Sequence, residues 1–325
     1  MAENRILEFN DNDKAHGLFG ELDSNLAHLE KKLGISIVSR GNQIALSGSQ
    51  DGVSTAETVL NTLWQKIGKK QTIGTAEIDA ELRFLNKPSE KTKTAHNKAA
   101  EAKMDDRQDM AVKTRKKSIM PRSPNQALYM DAIRNHPMVF GLGPAGTGKT
   151  YLAVAMGMSL YLEGKVERLI FCRPAVEAGE RLGFLPGDMQ EKIDPYLRPI
   201  YDALHDMMPW DEMMKKMASG DIEVAPLAFM RGRTLSNAFV ILDEAQNTTC
   251  TQMKMFLTRM GEASRMVITG DLTQTDLPPG VKSGLRDAVE TLETIEDIYF
   301  MTFAKEDVIR HPLVSKIVHA YSQQQ

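Results

Sequence analysis

Met138-Val-Phe-Gly-Leu142, Gly143-Pro-Ala-Gly-Thr-Gly-Lys-Thr150 and Tyr151-Leu-Ala-Val-Ala-Met156 follow one another without a break, and together they decide the fold. The first run is short and apolar, as a strand buried on both faces should be. The second fits G-x-x-x-x-G-K-[ST] in every place, and the third resumes helix formers at once. Glycines let backbone N–H groups converge on phosphate oxygens, and the start of the helix adds partial positive charge. On this reading Gly143, Pro144, Ala145, Gly146, Thr147 and Gly148 wrap the phosphates of a nucleotide. Lys149 reaches the β- and γ-phosphates, and the Thr150 hydroxyl ligates Mg²⁺. ATP and Mg²⁺ are the expected ligands.

Working outward, short branched runs alternate with helical stretches after Ser123. The strand candidates are 138–142, 168–172, 239–242, 266–269 and 298–303, with helices over 150–162 and 251–260. That alternation predicts an α/β domain, a parallel sheet with helices on both faces. Phe239-Val-Ile-Leu-Asp-Glu-Ala-Gln246 is an apolar strand ending in two carboxylates. Asp243 is placed to hold the metal and its water shell, and Glu244 to polarise an attacking water. A base for water favours a hydrolase over a kinase. Met266-Val-Ile-Thr-Gly-Asp-Leu-Thr-Gln274 ends at the same edge of the sheet, so Thr269, Asp271 and Gln274 are candidates to sense the γ-phosphate. For Asp271 a structural turn is the alternative.

The 325 residues, 42% of them apolar, allow about two domains. Charge locates the boundary between them. Residues 1–90 carry 10 Lys/Arg against 13 Asp/Glu, while residues 91–122 carry 10 against 4. The division read from this is a small α+β module over 1–85, a basic linker over 86–117 and an ATPase domain over 118–325. Lys113-Thr-Arg-Lys-Lys117 in the linker reads as solvated chain and also as an arm that touches phosphates. In the module, Leu26, Leu29 and Leu33 mark a helix stopped at Gly34. Ile35/Ile37 and Ile44/Leu46 mark two strands joined through Arg40-Gly41-Asn42, and 53–67 a second helix. Cys172 and Cys250 support neither a disulfide framework nor a zinc site. The start of the chain lacks a signal-peptide layout and no apolar run is long enough to span a membrane, so a soluble, cytoplasmic protein is expected.

Beyond the phosphate loop, Arg173-Pro-Ala-Val-Glu-Ala-Gly-Glu180, Leu182-Gly-Phe-Leu-Pro-Gly-Asp188, Met230-Arg-Gly-Arg-Thr234 and Val308-Ile-Arg-His-Pro-Leu-Val314 resemble segments of the PhoH family of P-loop ATPases. The resemblance covers about 118–322. It implies a RecA-like core related to superfamily 1 helicases, with ATP hydrolysis and a setting in RNA metabolism. It also implies an adenine-reading role for Gln126 and a charge-neutralising arginine at Arg310, for which Arg173 competes and Arg231 and Arg233 are weaker rivals. The module resembles a KH-type RNA-binding fold. Its backbone-clamping G-x-x-G loop corresponds here to Gly20-Glu-Leu-Asp23, with the second glycine replaced and two acids present. RNA grip and protein docking both stay open for it.

The expected function is Mg²⁺-dependent ATP hydrolysis coupled to RNA or ribonucleoprotein remodelling, with Lys149, Glu244, Gln274 and Arg310 in the catalytic set. The alternative is a slow ATP-dependent switch that recruits an RNA-processing, metal-dependent endoribonuclease in a ribosome-maturation setting, a partner implied by the resemblance alone. A single core together with candidate arginines far from the loop in sequence predicts a homo-oligomeric ring. The methionines at 207, 208, 213, 214 and 217 read as core packing, or as adaptable contact surface.

Overall fold

The computed structural model describes residues 2–68, 72–85, 111–174 and 189–309, with 313, 314, 317, 320 and 321. They form two compact units. The first runs β1 (Ala2–Glu8), α1 (Asn12–Phe19), α2 (Ser24–Leu33), β2 (Ser36–Arg40), β3 (Gln43–Ser49), α3 (Gln50–Gly68) and α4 (Thr75–Leu85). Its sheet is antiparallel in the order β1-β3-β2. The helix, hairpin and second helix expected here are all present. The sequence reading missed β1, α1 and α4. In β1 the expected alternation of apolar and polar residues is blurred by Glu3 and Arg5, whose charges pair with each other and with Glu57.

Leu29, Ile44, Val53 and Leu63 are wholly enclosed at the centre of this unit. Each fully buried aliphatic side chain contributes about 1.5–3 kcal/mol. The loop joining α1 to α2 is Gly20–Asp23. Gly17-Leu-Phe-Gly20 also spells G-x-x-G, but Leu18 and Phe19 are buried helix residues and form no open loop.

The second unit contains β4 (Val112–Lys113), β5 (Ser118–Ile119), α5 (Pro124–Asn135), β6 (Met138–Leu142), α6 (Lys149–Leu162), β7 (Arg168–Arg173), α7 (Met189–Met207) and α8 (Trp210–Ser219). It continues with β8 (Ile222–Pro226), β9 (Ala238–Leu242), α9 (Cys250–Leu257), β10 (Arg265–Gly270), α10 (Gly284–Leu292) and β11 (Ile298–Thr302). Six strands make one parallel sheet in the order β11-β6-β10-β9-β7-β8. Helices cover both faces, as the strand-helix alternation predicted. Alternate residues of β9 separate the two cores: Phe239 and Ile241 pack with α5, α6 and α8, and Val240 and Leu242 with α9 and α10.

Three local expectations change. Ile222–Pro226 is a sixth strand the sequence reading missed, an edge strand that tolerates Glu223 and ends in proline. Helix α9 stops at Leu257 rather than 260, after starting from a capping box between Thr249 and Gln252. Residues 112–113 and 118–119 form a hairpin whose Val112 and Ile119 enter the core, so the basic stretch ends inside this unit. Of the two readings of the methionines, core packing holds. Met207, Met208 and Met213 are fully buried and Met217 packs against the same core, leaving only Met214 largely exposed. No helix among the described residues is long and apolar enough to cross a membrane.

Candidate active site

Six residues, Gly143–Gly148, connect β6 to α6 at the carboxyl edge of the sheet. Gly143, Gly146 and Gly148 have φ of 139°, 85° and 83°, which side-chain-bearing residues rarely adopt. At Gly143 a Cβ would also lie 2.5 Å from the Phe303 carbonyl oxygen, so no larger residue fits. The loop is braced from several sides. Gly143 N–H donates to the Gly270 carbonyl at 3.1 Å, and Ile309 N–H donates to the Gly146 carbonyl at 2.9 Å. Thr147 Oγ1 donates to the Pro144 carbonyl at 3.0 Å, and Gln126 Nε2 to the Thr147 carbonyl at 2.9 Å.

Lys149 Nζ lies within the bowl, donating to the carbonyls of Gly143 (2.7 Å) and Pro144 (2.9 Å). Burial lowers its pKa below the ordinary lysine value, against the opposing pull of Asp271, Asp243 and Glu244. The first-turn N–H groups of α6 have no intrahelical acceptor and face the same space.

The acidic pair follows β9. Asp243 is buried, and its Oδ1 accepts from Thr150 Oγ1 at 2.6 Å and from Thr269 Oγ1 at 2.7 Å. Strand β10 lies between the loop strand β6 and β9, and this is what brings Thr269 to that oxygen. Glu244 is held in a left-handed conformation, φ 53°, a strain that turns its side chain back toward the loop. Its Oε1 lies 3.0 Å from Arg173 Nη2, and its Oε2 accepts from Gln246 Nε2 at 2.5 Å. The other end of the Gln246 amide accepts from the Asp271 N–H at 3.1 Å.

Asp271 meets both of its readings. Its Oδ1 closes a turn by accepting from the N–H (2.9 Å) and hydroxyl (2.7 Å) of Thr273, while Oδ2 is buried without a partner. These groups surround a cavity of about 280 Å³ lined by Gly146, Gly148, Lys149, Thr150, Asp243, Glu244, Asp271 and Gln274. A neighbouring hollow of about 530 Å³ shares Thr150, Tyr151, Asp243 and Glu244 and adds Arg173, Asp202 and Asp206.

The structure therefore gathers the loop residues, Thr150, Asp243, Glu244, Asp271 and Gln274 about one space. Gln126 is buried, and its amide braces the loop from behind. Arg173 stands beside Glu244, Arg233 forks onto Glu223 at 2.6 and 2.7 Å away from the site, and Arg310 lies outside the described residues. Gln246 was missed by the sequence reading. Its place two residues after Glu244 is the one signal that could have found it. A hydroxyl beside a single buried carboxylate suits Mg²⁺, which keeps several waters and takes its remaining ligands from substrate phosphates.

The family model for PhoH-like proteins matches residues 118–322 of this chain, the stretch that carries every one of these groups. The chain belongs to the PhoH-like family. It is 49% identical over 311 residues to a PhoH-like protein of Mycobacterium tuberculosis, covering 96% of this chain and 86% of that one. A PhoH-like protein of Bacillus subtilis is 46% identical over 312 residues, covering 96% and 95%. The protein PhoH of Escherichia coli is 47% identical over 206 residues, 63% of this chain and 58% of its own length. Among solved structures, the Pif1 helicase of Candida albicans is similar at a TM-score of 0.32 and 16% identity, over 61% of this chain and 42% of that one.

Proposed function

We propose that this PhoH-like protein is a Mg²⁺-dependent ATPase whose hydrolysis is coupled to RNA or ribonucleoprotein remodelling. The observation that carries the ATPase is the convergence of Thr150 and Thr269 on one oxygen of Asp243, beside Lys149 and next to Glu244. The loop N–H groups and Lys149 would hold the phosphates, and Thr150 with Asp243 would hold the metal. Bound there, the metal would offset charge on the β- and γ-phosphates. Glu244 is the base for the attacking water, and Asp271 and Gln274 line the same cavity. Coupling to RNA is supported by the βααββα run from β1 to α3 in the first unit and by the basic hairpin of the second.

Glu244 works as a base only when its oxygens are released from Arg173 and Gln246. That double hold favours the second reading, a slow switch that turns over when a partner such as an endoribonuclease engages it. Ring assembly, with Arg310 or Arg173 reaching a neighbour, belongs to the same proposal. The contact between Arg173 and Glu244 within one chain favours Arg173 acting in cis.

Steady-state phosphate release with Mg²⁺ and ATP, with and without single-stranded RNA, tests the reading, with Glu244→Gln as the comparison. Loss of a general base should slow turnover by about 10²–10⁴-fold while ATP still binds. Wild-type turnover in that variant would move the base elsewhere. Several-fold stimulation by RNA supports coupling, and slow hydrolysis indifferent to RNA supports the switch.

A further inference from the structure

The basic run of the sequence is a built feature of the second unit. Val112 pairs with Ile119 and Lys113 with Ser118. Thr114 closes the turn, its N–H and Oγ1 both donating to the Lys117 carbonyl at 2.9 and 2.7 Å. Val112 and Ile119 are anchored in the core, so the tip cannot swing freely. Lys113, Arg115, Lys116 and Lys117 are all exposed on it.

The tip is tied down on the end of α7 and the start of α8. Lys116 N–H donates to the Met207 carbonyl at 3.0 Å, and Lys116 Nζ donates to the His205 carbonyl. Arg115 Nε lies 3.2 Å from Glu212 Oε1, and Lys117 pairs with Asp206. The His205 ring meets Trp210 edge-on at 5.8 Å, and Trp210 is 52% exposed. The hairpin that carries these four cations is thus tied to the helix ends that flank Trp210, whose ring is open to solvent.

We propose that the Lys113–Lys117 hairpin and Trp210 form a platform for single-stranded nucleic acid, with phosphates on the cations and an unpaired base on the indole. The proposal rests on the RNA coupling put forward above and names the surface of the ATPase unit that serves it. Stacking on an aromatic side chain favours binding and needs a base that is not already stacked in a duplex. Asp206 and Glu212 pair with Lys117 and Arg115, and Asp211 beside Trp210 adds a third carboxylate against the four cations. Exposed ion pairs of that kind contribute little net stability, so a phosphate displaces them at small cost.

The same contacts lead to the nucleotide site. Tyr151 Oη donates to Asp206 Oδ2 at 2.7 Å, Lys117 Nζ stands 5.5 Å from the centre of the Tyr151 ring, and Tyr151 directly follows Thr150. A phosphate that draws Lys117 away from Asp206 therefore changes the partners of a residue adjoining the Thr150–Asp243 pair.

The experiment is a titration of the full-length protein with a labelled twelve-residue oligouridylate, followed by anisotropy and by tryptophan fluorescence. Wild type is compared with Lys113→Ala/Lys116→Ala and with Trp210→Leu. The double variant should bind at least about tenfold more weakly and show a salt dependence shallower by about two phosphate contacts. Trp210→Leu should bind several-fold more weakly with the salt dependence unchanged, and the fluorescence quench seen in wild type should disappear. Wild-type affinity in both variants overturns the platform and leaves RNA coupling standing, with the RNA bound elsewhere. No binding by wild type removes the coupling as well. Tighter binding of a duplex of equal length, or a Trp210 quench by polyglutamate instead of oligouridylate, also overturns it.

Discussion

Two glycine-headed loops lead into helices in this protein, Gly143–Gly148 into α6 and Gly20–Asp23 into α2, and they are built for opposite ends. In the first, the left-handed positions are all glycine, so no side chain stands at them. In the second, only Gly20 is glycine, while Leu22 and Asp23 also take positive φ, 51° and 56°. Leu22 is 94% exposed, Glu21 adds a negative charge, and Asp23 Oδ2 accepts from Ser39 Oγ at 2.5 Å. The first loop offers N–H groups and a lysine, which suit an anion, and the second offers carboxylates, which do not. A helix–loop–helix of the right topology is therefore no guide to ligand without its side chains.

Breaking the first loop should have the largest effect. Lys149→Ala removes a charge-assisted contact to phosphate, and nucleotide affinity should fall on the order of 100-fold, as read by equilibrium titration with a fluorescent nucleotide. Retained affinity would mean that the loop does not hold phosphate. The charge of Lys149 also fixes a pH dependence. Burial has already lowered its pKa, so it loses its proton at lower pH than an exposed lysine does. Only the protonated amine attracts phosphate, so affinity should weaken as pH rises from about 7 toward the ordinary lysine value of about 10.4. In Lys149→Ala that dependence should vanish.

Converting the second loop toward the first sharpens the contrast. Glu21→Lys/Asp23→Gly restores a G-x-x-G frame and removes both acids. Affinity for an oligouridylate at low salt should rise on the order of tenfold, with a steeper salt dependence. If affinity stayed unchanged, the loop would be remote from nucleic acid altogether, which favours protein docking for the module.

The smallest effect concerns strain. A non-glycine residue in the left-handed region costs about 1–2 kcal/mol, and glycine returns about 0.5–1 kcal/mol of that through the freer unfolded chain. Leu22→Gly should therefore stabilise the first unit by about 0.5 kcal/mol, measured by urea denaturation. A loss of stability would show that Leu22 packs against something beyond its own chain.

Much of the candidate site was legible in the sequence because its parts are contiguous. The phosphate loop, Asp243-Glu244 and Thr269 to Gln274 each occupy a few successive residues at the end of an apolar run, and parallel strands bring such ends to one edge. The same logic recovered five of the six strands of the large sheet. It failed at Ile222–Pro226 and at Ala2–Glu8, edge strands in which charge and proline blur the pattern. It also carried the linker too far, because Lys113–Lys117 looks solvated while only Val112 and Ile119 beside it are buried.

By itself the sequence determined the fold class, the phosphate loop and the identity of the acidic pair, since these depend on local spacing and on the period of apolar residues. The tertiary structure alone decided which groups meet. Strand order sets β10 between β6 and β9 and so joins Thr150 and Thr269 at Asp243, 93 and 26 residues away in the chain. It also decided that Arg173 and Gln246 hold Glu244, and that a basic hairpin stands beside Trp210. Contacts between residues far apart in sequence leave no local period to read, because they depend on how strands order and helices pack.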